Sequence, residues 1–422
     1  MLDIKFIREN KELVEMASKK KRLDFDVNKL IEADDKRKTL LTKVEEKRAE
    51  QNQASQEIVR ASGPERADIL EKMKFVKEEL SKSEEELKIV MKDWQMLMLQ
   101  VPNIPDISVP EGASDADNKE VKRWGTIPKF DFEPKSHIEI MQNLDMADFE
   151  RGTKVAGFRG YFLKNDGALL SFAIWQYAYN FFLSRGFTSM IVPSLVRKES
   201  LMGTGFLPQG EEDLYKTQDG EYLAGTAEVA TMGYHMDEVL DKKDFPKKYL
   251  SFSPCFRREA GSHAKDVKGL IRVHEFFKVE QVVLCEASHE ESVKYHEELN
   301  RNTEEFVESL GIPYHTVVNC GGDLGLGQVK KYDIELWVPL ENTYREISSA
   351  SYFHDFQTRR LNIRYKDDSG KTTYAHSLNS TAAPTPRILV SLVENFQQAD
   401  GSVKIPEVLV PYMNGKHEIS RK

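Results

Sequence analysis

The first 100 residues contain one proline and one glycine, and the two are adjacent at Gly63-Pro64. On both sides of this pair the sequence is rich in Leu, Lys, Glu and Arg. Proline and glycine interrupt helices, so a segment that holds each only once can form two long helices joined by one turn. We therefore predict a helical hairpin whose turn lies at residues 62–65.

Apolar residues repeat along both halves of this segment with steps of four and three residues. In the second helix only Ser83 is polar in the series Ile69, Met73, Val76, Leu80, Ser83, Leu87, Val90, Trp94 and Leu97. The first helix matches less well, with Leu30, Ala33, Arg37, Leu40, Val44, Lys47, Gln51, Ala54 and Ile58. Two facing seams predict an antiparallel coiled coil, and a helix from about 65 to 98 would be roughly 50 Å long at 1.5 Å per residue.

The pattern changes at Val101-Pro102-Asn103-Ile104-Pro105, which reads as a linker. We place a domain boundary there, with a coiled-coil arm over 1–105 and a second domain over 106–422. Strand-like alternation follows at 249–258, 270–285, 332–340 and 344–349. Because several of these segments are consecutive, antiparallel pairing is favoured. The predicted fold class is α+β, an antiparallel sheet flanked by helices after the helical arm.

Composition narrows the function classes. The formal net charge of -9 does not by itself indicate a nucleic-acid binder. A local basic patch can still bind nucleic acid, because binding depends on the local charge and not on the total. The three cysteines form no CxxC pair, and the histidines, including His235, His263 and His274, show no metal-ligand spacing. The charged N-terminus and the polar residues within 169–183 argue against a signal peptide and a membrane span, so a cytoplasmic location is expected.

Two segments in the middle of the chain combine arginines, carboxylates and an aromatic ring. If both are strands, Arg257 and Glu259 point together, and so do Arg272, His274, Phe276, Lys278 and Glu280. Arginine binds phosphate oxygens, a ring stacks on a base, and a carboxylate accepts from an amine. The alternative is a solvated sheet face with surface ion pairs.

Longer motifs around these residues resemble the catalytic core of class II aminoacyl-tRNA synthetases in its seryl-specific form. FRREAGSHAKDVKGLIRVHEFFKVE looks like the second signature motif, and LNSTAAPTPRILVSLVENFQQADGSVKIPEVLVPY looks like the segment around the third. GFTSMIVPSLV is similar to the first motif, which implies a homodimer. Ala264 stands where glycine is expected, and Pro384 is unusual because it removes a backbone donor.

The resemblance implies ATP-binding positions at Arg257, Arg258, Glu259, Arg272, Val273, Phe276, Glu346, Ile347, Ser348, Ser349 and Arg387. Arg257 and Arg387 would be catalytic, and Phe276 would stack on adenine. Glu346 and Ser349 would bind Mg²⁺, which prefers few carboxylates plus phosphates and waters. Strict alternation places those two on opposite strand faces, so a bulge is required.

The resemblance also implies a serine site formed by Thr226, Ala227, Glu228, Glu280 and Thr381. For Glu228 the alternative is half a capping box with Thr226. The local sequence of the third motif predicts a helix with Thr385 as N-cap and Pro386 at the first position, which brings Arg387 into the first turn where anions are favoured. An ordinary helix start without phosphate binding is the alternative there.

The activity implied is ATP-dependent activation of serine and its transfer to tRNA(Ser), with the arm binding the tRNA. The arm carries basic residues that are expected to be exposed, among them Lys36, Arg37, Lys38, Lys43, Lys47, Arg48 and Arg60. Whether the selenocysteine tRNA, tRNA(Sec), is also charged stays open. Two other functions are considered, a ligase that loads a small amino acid onto a carrier protein and an inactive paralogue that only binds RNA.

Overall fold

A computed structural model describes residues 1–261, 266 and 268–421. The expectations about His263 and Ala264 therefore concern residues outside the described part of the chain. The chain divides into two compact units. One comprises Met1–Lys19 and Leu23–Pro102, and the other comprises Lys20–Arg22 and the chain from Asn103 onward.

The first unit is helical. Its helices are α1 (Ile4–Glu9), α2 (Lys11–Lys20), α3 (Val27–Arg60) and α4 (Gly63–Gln100). Asp26 caps α3 because its side chain accepts from the backbone N–H groups of Asn28 and Lys29. The two long helices confirm the predicted hairpin, but the turn is shorter than predicted, because it lies at Ala61 and Ser62 and α4 already begins at Gly63. Helices α1 and α2 were not predicted.

Both heptad series face inward along α3 and α4. Leu40, Val44, Leu80 and Val90 are buried, and Ser83 is only 3% exposed. The polar member Arg37 also lies in the seam, because its guanidinium stacks over the ring of Trp94 on the facing helix. The same guanidinium binds Asp34 at 2.8 Å. Long basic side chains can pack their stems in this way and keep the charge paired.

The second unit is built on β-strands. They are β1 (Lys119–Trp124), β2 (Ala147–Asp148), β3 (Phe162–Leu163), β4 (Thr188–Ile191), β5 (Leu195–Val196), β6 (Tyr215–Lys216), β7 (Tyr222–Leu223), β8 (Val239–Leu240), β9 (Lys247–Phe256), β10 (Glu275–Cys285), β11 (Tyr314–Val318), β12 (Lys330–Val338), β13 (Thr343–His354), β14 (Arg364–Lys366), β15 (Thr372–Tyr374), β16 (His376–Thr385), β17 (Val403–Lys404) and β18 (Glu418–Ile419).

Its helices are α5 (His137–Asn143), α6 (Phe149–Ala156), α7 (Asn165–Leu183), α8 (Lys198–Thr204), α9 (Glu228–Gly233), α10 (His289–Leu310), α11 (Phe356–Leu361) and α12 (Arg387–Asn395). Short 3-10 helices lie at Asp115–Asp117, Glu211–Asp213, Lys242–Asp244, Gly321–Asp323 and Glu407–Met413. Within the described ranges, no helix combines the length and the apolar character needed to cross a bilayer.

Eight strands form the main sheet in the order β1-β11-β12-β13-β16-β10-β9-β4. All neighbours are antiparallel except β4 and β9, which run parallel. Helices α7, α10 and α12 contribute Ile174, Phe306 and Leu389 to the core, and each of these side chains is fully buried. The predicted α+β class and the antiparallel sheet are confirmed.

Two strand boundaries differ from the sequence interpretation. β10 begins at Glu275, so Arg272 and His274 precede the strand and do not share its face by alternation. β9 ends at Phe256, and Glu259 has a positive φ of 55°, so Arg257 and Glu259 are not neighbours along a strand. Residues 257–259 and 272–274 lie in loop segments between β9 and β10, which the alternation of polar residues did not reveal.

The predicted cap of the last helix is also wrong. Thr385 is the final residue of β16 and pairs with Phe277, so its backbone belongs to the sheet. Pro386 takes the N-cap position without a side-chain cap hydrogen bond, and α12 begins at Arg387. The prediction that this arginine lies in the first helical turn is confirmed.

Candidate active site

Strand β10 carries polar side chains on the face opposite the core. Alternation places Phe276, Lys278 and Glu280 on one face, as predicted. Lys278 and Glu280 border a cavity of about 310 Å³, which we call the polar cavity. Its lining is Thr204, Gly205, Phe206, Thr226, Glu228, Arg257, Lys278, Glu280, Gly325, Leu326, Gly327, Gln328, Glu346, Ser349, Ser351, Phe353, Asn379 and Thr381.

A buried ion pair organises the floor of the polar cavity. The Lys278 ammonium lies 2.8 Å from Glu280 Oε2 and donates to the hydroxyl oxygens of Thr226 at 2.9 Å and Thr381 at 3.2 Å. The Thr226 hydroxyl in turn donates to Glu280. Lys278 and Glu280 are 4% and 2% exposed. A buried pair of this kind requires its remaining hydrogen-bond partners, so these four side chains are held in fixed orientations.

Glu228 is a second buried carboxylate in the same wall. Gln357 Nε2 donates to Glu228 Oε1 at 2.5 Å. Burial, and next the nearby charge of Glu280, raises the pKa of Glu228 to about 7. The helix-start alternative holds in part, because Glu228 is the first residue of α9 and its N–H donates to the Thr226 hydroxyl oxygen at 3.3 Å, although Ala227 and not Thr226 occupies the N-cap position. Glu228 also lines the polar cavity.

Three arginines converge on a neighbouring pocket, which we call the arginine pocket. Its lining is Arg257, Glu259, Leu270, Ile271, Arg272, Val273, Phe276, Lys278, Glu346, Ile347, Thr381, Pro384, Thr385, Pro386 and Arg387. Arg257 lies over the Phe276 ring at 5.3 Å. Three guanidinium groups beside one ring can bind a polyphosphate and a planar base.

Protein oxygens hold each of the three guanidinium groups in place. Arg257 Nε donates to the Gly225 carbonyl at 3.2 Å. Arg272 forms ion pairs with Glu259 and Asp266. Arg387 donates to the backbone carbonyls of Ile271 at 2.8 Å and Glu346 at 2.7 Å, and burial lowers its pKa. The donors are therefore oriented by the fold itself, as electrostatic stabilisation requires.

The two cavities adjoin, because Arg257, Lys278, Glu346 and Thr381 line both of them. A small molecule in the polar cavity would therefore lie beside a phosphate held in the arginine pocket. Such proximity is what a reaction between the two molecules needs.

A β-bulge brings Glu346 and Ser349 to the same cavity. Ser348 pairs with Ile334 and Glu346 pairs with the next residue, Glu335, which leaves Ile347 as the extra residue of β13. Both predicted metal ligands then line the polar cavity, as the bulge prediction required. Among the residues that the structure describes, no group of three or more His, Cys, Asp or Glu residues could hold a metal ion.

Not every predicted site residue reaches a cavity. Ser348 is buried, and its hydroxyl donates to the Thr381 carbonyl at 2.5 Å. Ala227 is buried outside both linings, and Arg258 is exposed. The remaining predicted residues line at least one of the two cavities.

Two family models match the sequence. One, the seryl-tRNA synthetase N-terminal domain, matches residues 1–105, and the other, the tRNA synthetase class II core domain (G, H, P, S and T), matches residues 215–396. A serine–tRNA ligase of Deinococcus radiodurans is 44% identical over 422 residues, which cover 100% of this chain and 99% of that protein. The chain belongs to the seryl-tRNA synthetase family.

Solved structures of the family agree with this assignment. The seryl-tRNA synthetase of Pyrococcus horikoshii, complexed with ATP, superposes with a TM-score of 0.91 at 38% identity and covers 100% of both chains. A cytoplasmic serine–tRNA ligase of Naegleria fowleri, in complex with AMP, gives a TM-score of 0.87 at 32% identity, covering 100% of this chain and 99% of that one. The resemblance inferred from the motifs is confirmed.

Lys278, Gln357 and Asn379 are among the residues of this synthetase site that received no role from the sequence. Lys278 could have been found, because alternation along β10 already placed it between Phe276 and Glu280. Gln357 and Asn379 lie on α11 and β16 and reach the site only through the tertiary fold. No local pattern marks them.

Proposed function

We propose that serine occupies the polar cavity, that ATP occupies the arginine pocket, and that the two react where the cavities adjoin. The activity is that of a serine–tRNA ligase, an ATP-dependent aminoacyl-tRNA synthetase. A serine carboxylate oxygen attacks the α-phosphorus, the bond to the bridging oxygen breaks and pyrophosphate leaves. A hydroxyl of the terminal ribose of tRNA(Ser) then attacks the seryl carbonyl, and AMP leaves.

The arginine pocket supplies the groups that hold the nucleotide. Arg257, which lines both cavities, would bind the α-phosphate, and Arg387 would stabilise the same developing charge. Phe276 would stack on adenine, with Val273 beside it. Glu259 would accept from the adenine amine and Arg272 would bind the outer phosphates, so their mutual ion pair would open as each takes its ligand.

The polar cavity supplies the groups that select serine. Glu228 and Glu280 are carboxylates that can bind the ammonium group, and Thr226 and Thr381 can meet the hydroxyl. Lys278 fixes three of these four side chains. Alanine would leave the hydroxyl partners unpaired, which is how a polar site rejects an isostere that lacks one group.

A Mg²⁺ ion fits the donor set of Glu346 and Ser349. One carboxylate and one hydroxyl on the same wall leave most coordination positions to phosphate and water oxygens, an arrangement that suits Mg²⁺. When bound, the ion would neutralise phosphate charge. Arg257 and Arg387 orient the nucleotide from the protein side.

We also propose a cytoplasmic homodimer whose interface includes the free edge strand β4 and helix α7. β4 ends the sheet order, and Ile191 on it is 87% exposed. Phe172 of α7 is 63% exposed and lines the same apolar groove. A second copy would cover this edge. A mass equal to one chain in light scattering at assay concentration would contradict the dimer.

The single observation that carries the proposal is the shared wall of the two cavities. The test is ATP–pyrophosphate exchange with each of the twenty amino acids. We expect strong exchange with serine alone, because alanine and glycine lack the hydroxyl and threonine adds a methyl group beside it. Exchange with a different amino acid and not with serine would contradict the assignment.

Serylation of RNA separates the remaining alternatives. A carrier-protein ligase would show serine-dependent exchange without charging tRNA, and an inactive RNA-binding paralogue would show neither. We expect tRNA(Ser) to be charged. A parallel assay with tRNA(Sec) tests whether it is a second acceptor.

A further inference from the structure

One wall of the polar cavity is a loop with no strand partner for its carbonyl groups. Residues 325–328 connect the 3-10 helix Gly321–Asp323 to β12, and all four line the cavity. Backbone carbonyls in a loop must find partners outside a sheet ladder. The hydrogen-bond donors of these four carbonyl groups determine whether the carbonyl oxygens point into the cavity or away from it.

Lys21 supplies three of those partners. Its ammonium group donates to the carbonyl oxygens of Gly325 at 3.0 Å, Leu326 at 2.9 Å and Gln328 at 2.6 Å. An ammonium has three N–H donors, so each carbonyl can take one. The side chain is 2% exposed, and burial lowers the pKa of Lys21 well below its usual value.

Asn103 supplies further partners, and within the loop the Gln328 N–H donates to the Gly325 carbonyl at 3.2 Å. Its side-chain amide donates to the Gly327 carbonyl at 3.0 Å and to the Phe353 carbonyl at 2.7 Å, and its backbone N–H donates to the Leu326 carbonyl at 2.9 Å. Four consecutive carbonyls of the wall thus accept from residue 21 or residue 103. Neither residue lines the polar cavity, so these carbonyls are turned toward groups outside its lining.

We propose that Lys21 is a positioning residue for serine. It draws the carbonyl oxygens of the 325–328 loop toward itself, which keeps their negative ends from facing the serine carboxylate and fixes the width of the cavity. No residue of the 325–328 loop lines the arginine pocket, so we expect ATP binding not to depend on this loop. The inference rests on the proposed serine site.

The test is Lys21→Met in the full chain, with serine-dependent pyrophosphate exchange as the readout. The Gln328 carbonyl loses its donor, while the Gly325 and Leu326 carbonyls each keep only one backbone donor, from Gln328 and Asn103. The loop therefore turns, and the KM for serine rises by about tenfold or more. The KM for ATP stays within about twofold, since no residue of the 325–328 loop lines the arginine pocket. The matched control is Lys20→Met, which removes an ammonium group that lies 3.4 Å from the exposed Glu111 carboxylate, and it should keep the wild-type KM for serine.

A second variant separates positioning from loss of fold. Lys21→Ala removes the side chain beyond Cβ, and propylammonium has the size and charge of the missing part. Added propylammonium should restore the KM for serine, whereas propanol of similar size should not. Equal rises in the two KM values, an unchanged KM for serine, or equal effects of the two additives would overturn the proposal. Absence of serine-dependent exchange in the wild-type protein would instead overturn the proposed function.

Discussion

At the scale of a single residue, the protonation of Glu228 should make both protein stability and serine binding depend on pH. Its pKa of about 7 in the folded protein lies above the ordinary 4.5, because burial and Glu280 disfavour its charged form while Lys278 favours it. The native state therefore binds this proton more tightly than the unfolded chain does. Its contribution to stability falls as pH rises from about 4.5 to about 7.

Serine binding should show the opposite trend. The serine ammonium favours the ionised Glu228, so the KM for serine should fall as pH rises from about 6 to 8 and then level off. Glu228→Gln cannot ionise and should lose this slope. The measurement is the KM for serine against pH in both proteins, with the KM for ATP as internal control. A slope that persists in the variant would exclude Glu228 as its source.

Arg257 is the residue that joins the two cavities. Its guanidinium is oriented by the Gly225 carbonyl and lies over Phe276. Arg257→Ala removes one oriented charge donor and should slow adenylate formation by roughly 10²–10³-fold. Arg151→Ala, which removes an exposed surface ion pair with Asp148, is the control and should retain normal exchange. Near-normal exchange by folded Arg257→Ala protein would contradict the assigned role.

At the scale of elements, periodicity predicted the arm well because a heptad repeat reports directly which side chains are buried. Leu80 on α4 is 7% exposed and lies in the seam, whereas Leu70 on the same helix is 52% exposed. Leu80→Ala should lower the free energy of unfolding of the arm by about 2–4 kcal/mol, because it leaves a cavity between the helices. Leu70→Ala should change it by less than about 0.5 kcal/mol.

The helical signal in circular dichroism measures both variants during denaturant unfolding. The two substitutions remove the same atoms from the same helix, so their difference reports burial alone. Equal effects would mean that the seam does not close on itself.

Strand ends were harder to predict than helices. The alternation Arg272, His274, Phe276 begins before β10, which starts at Glu275, because polar residues also alternate by chance in loops. Thr385-Pro386 resembled a helix start, yet tertiary pairing with Phe277 drew Thr385 into β16. The bulge at Ile347 was inferred only because two proposed ligands had to share a face.

The residues of the candidate site also differ in how well the sequence predicts them. Those inside recognisable motifs, such as Arg257 and Glu280, could be predicted from the sequence. Lys21, Asn103 and Gln357 act through contacts with residues at least 129 positions away, so no local pattern identifies them.

At the scale of the whole molecule, the arm and the catalytic domain should be separable in function. We propose that residues 1–105 bind tRNA and that residues 106–422 carry the reaction. The basic residues expected to be exposed on the arm differ among themselves. Arg37 and Lys47 are half-buried and paired with acids, which corrects that expectation, whereas Lys43 and Arg60 are exposed. The exposed members can contact phosphates, and such contacts give a salt-dependent affinity.

Replacing residues 28–98 with a short turn should therefore affect the two half-reactions differently. The replacement keeps Lys21 and Asn103, so the 325–328 loop retains its partners and serine-dependent pyrophosphate exchange should stay within about threefold of wild type. Serylation should fall by at least about 100-fold through weaker tRNA binding, because most of the phosphate contacts are removed. The milder charge-reversal pair Lys43→Glu and Arg60→Glu should reduce the salt slope of tRNA binding while leaving exchange unchanged. Both activities are measured on the same protein. Equal loss of both would mean that the arm supports the catalytic fold, and full retention of both would mean that it does not bind tRNA.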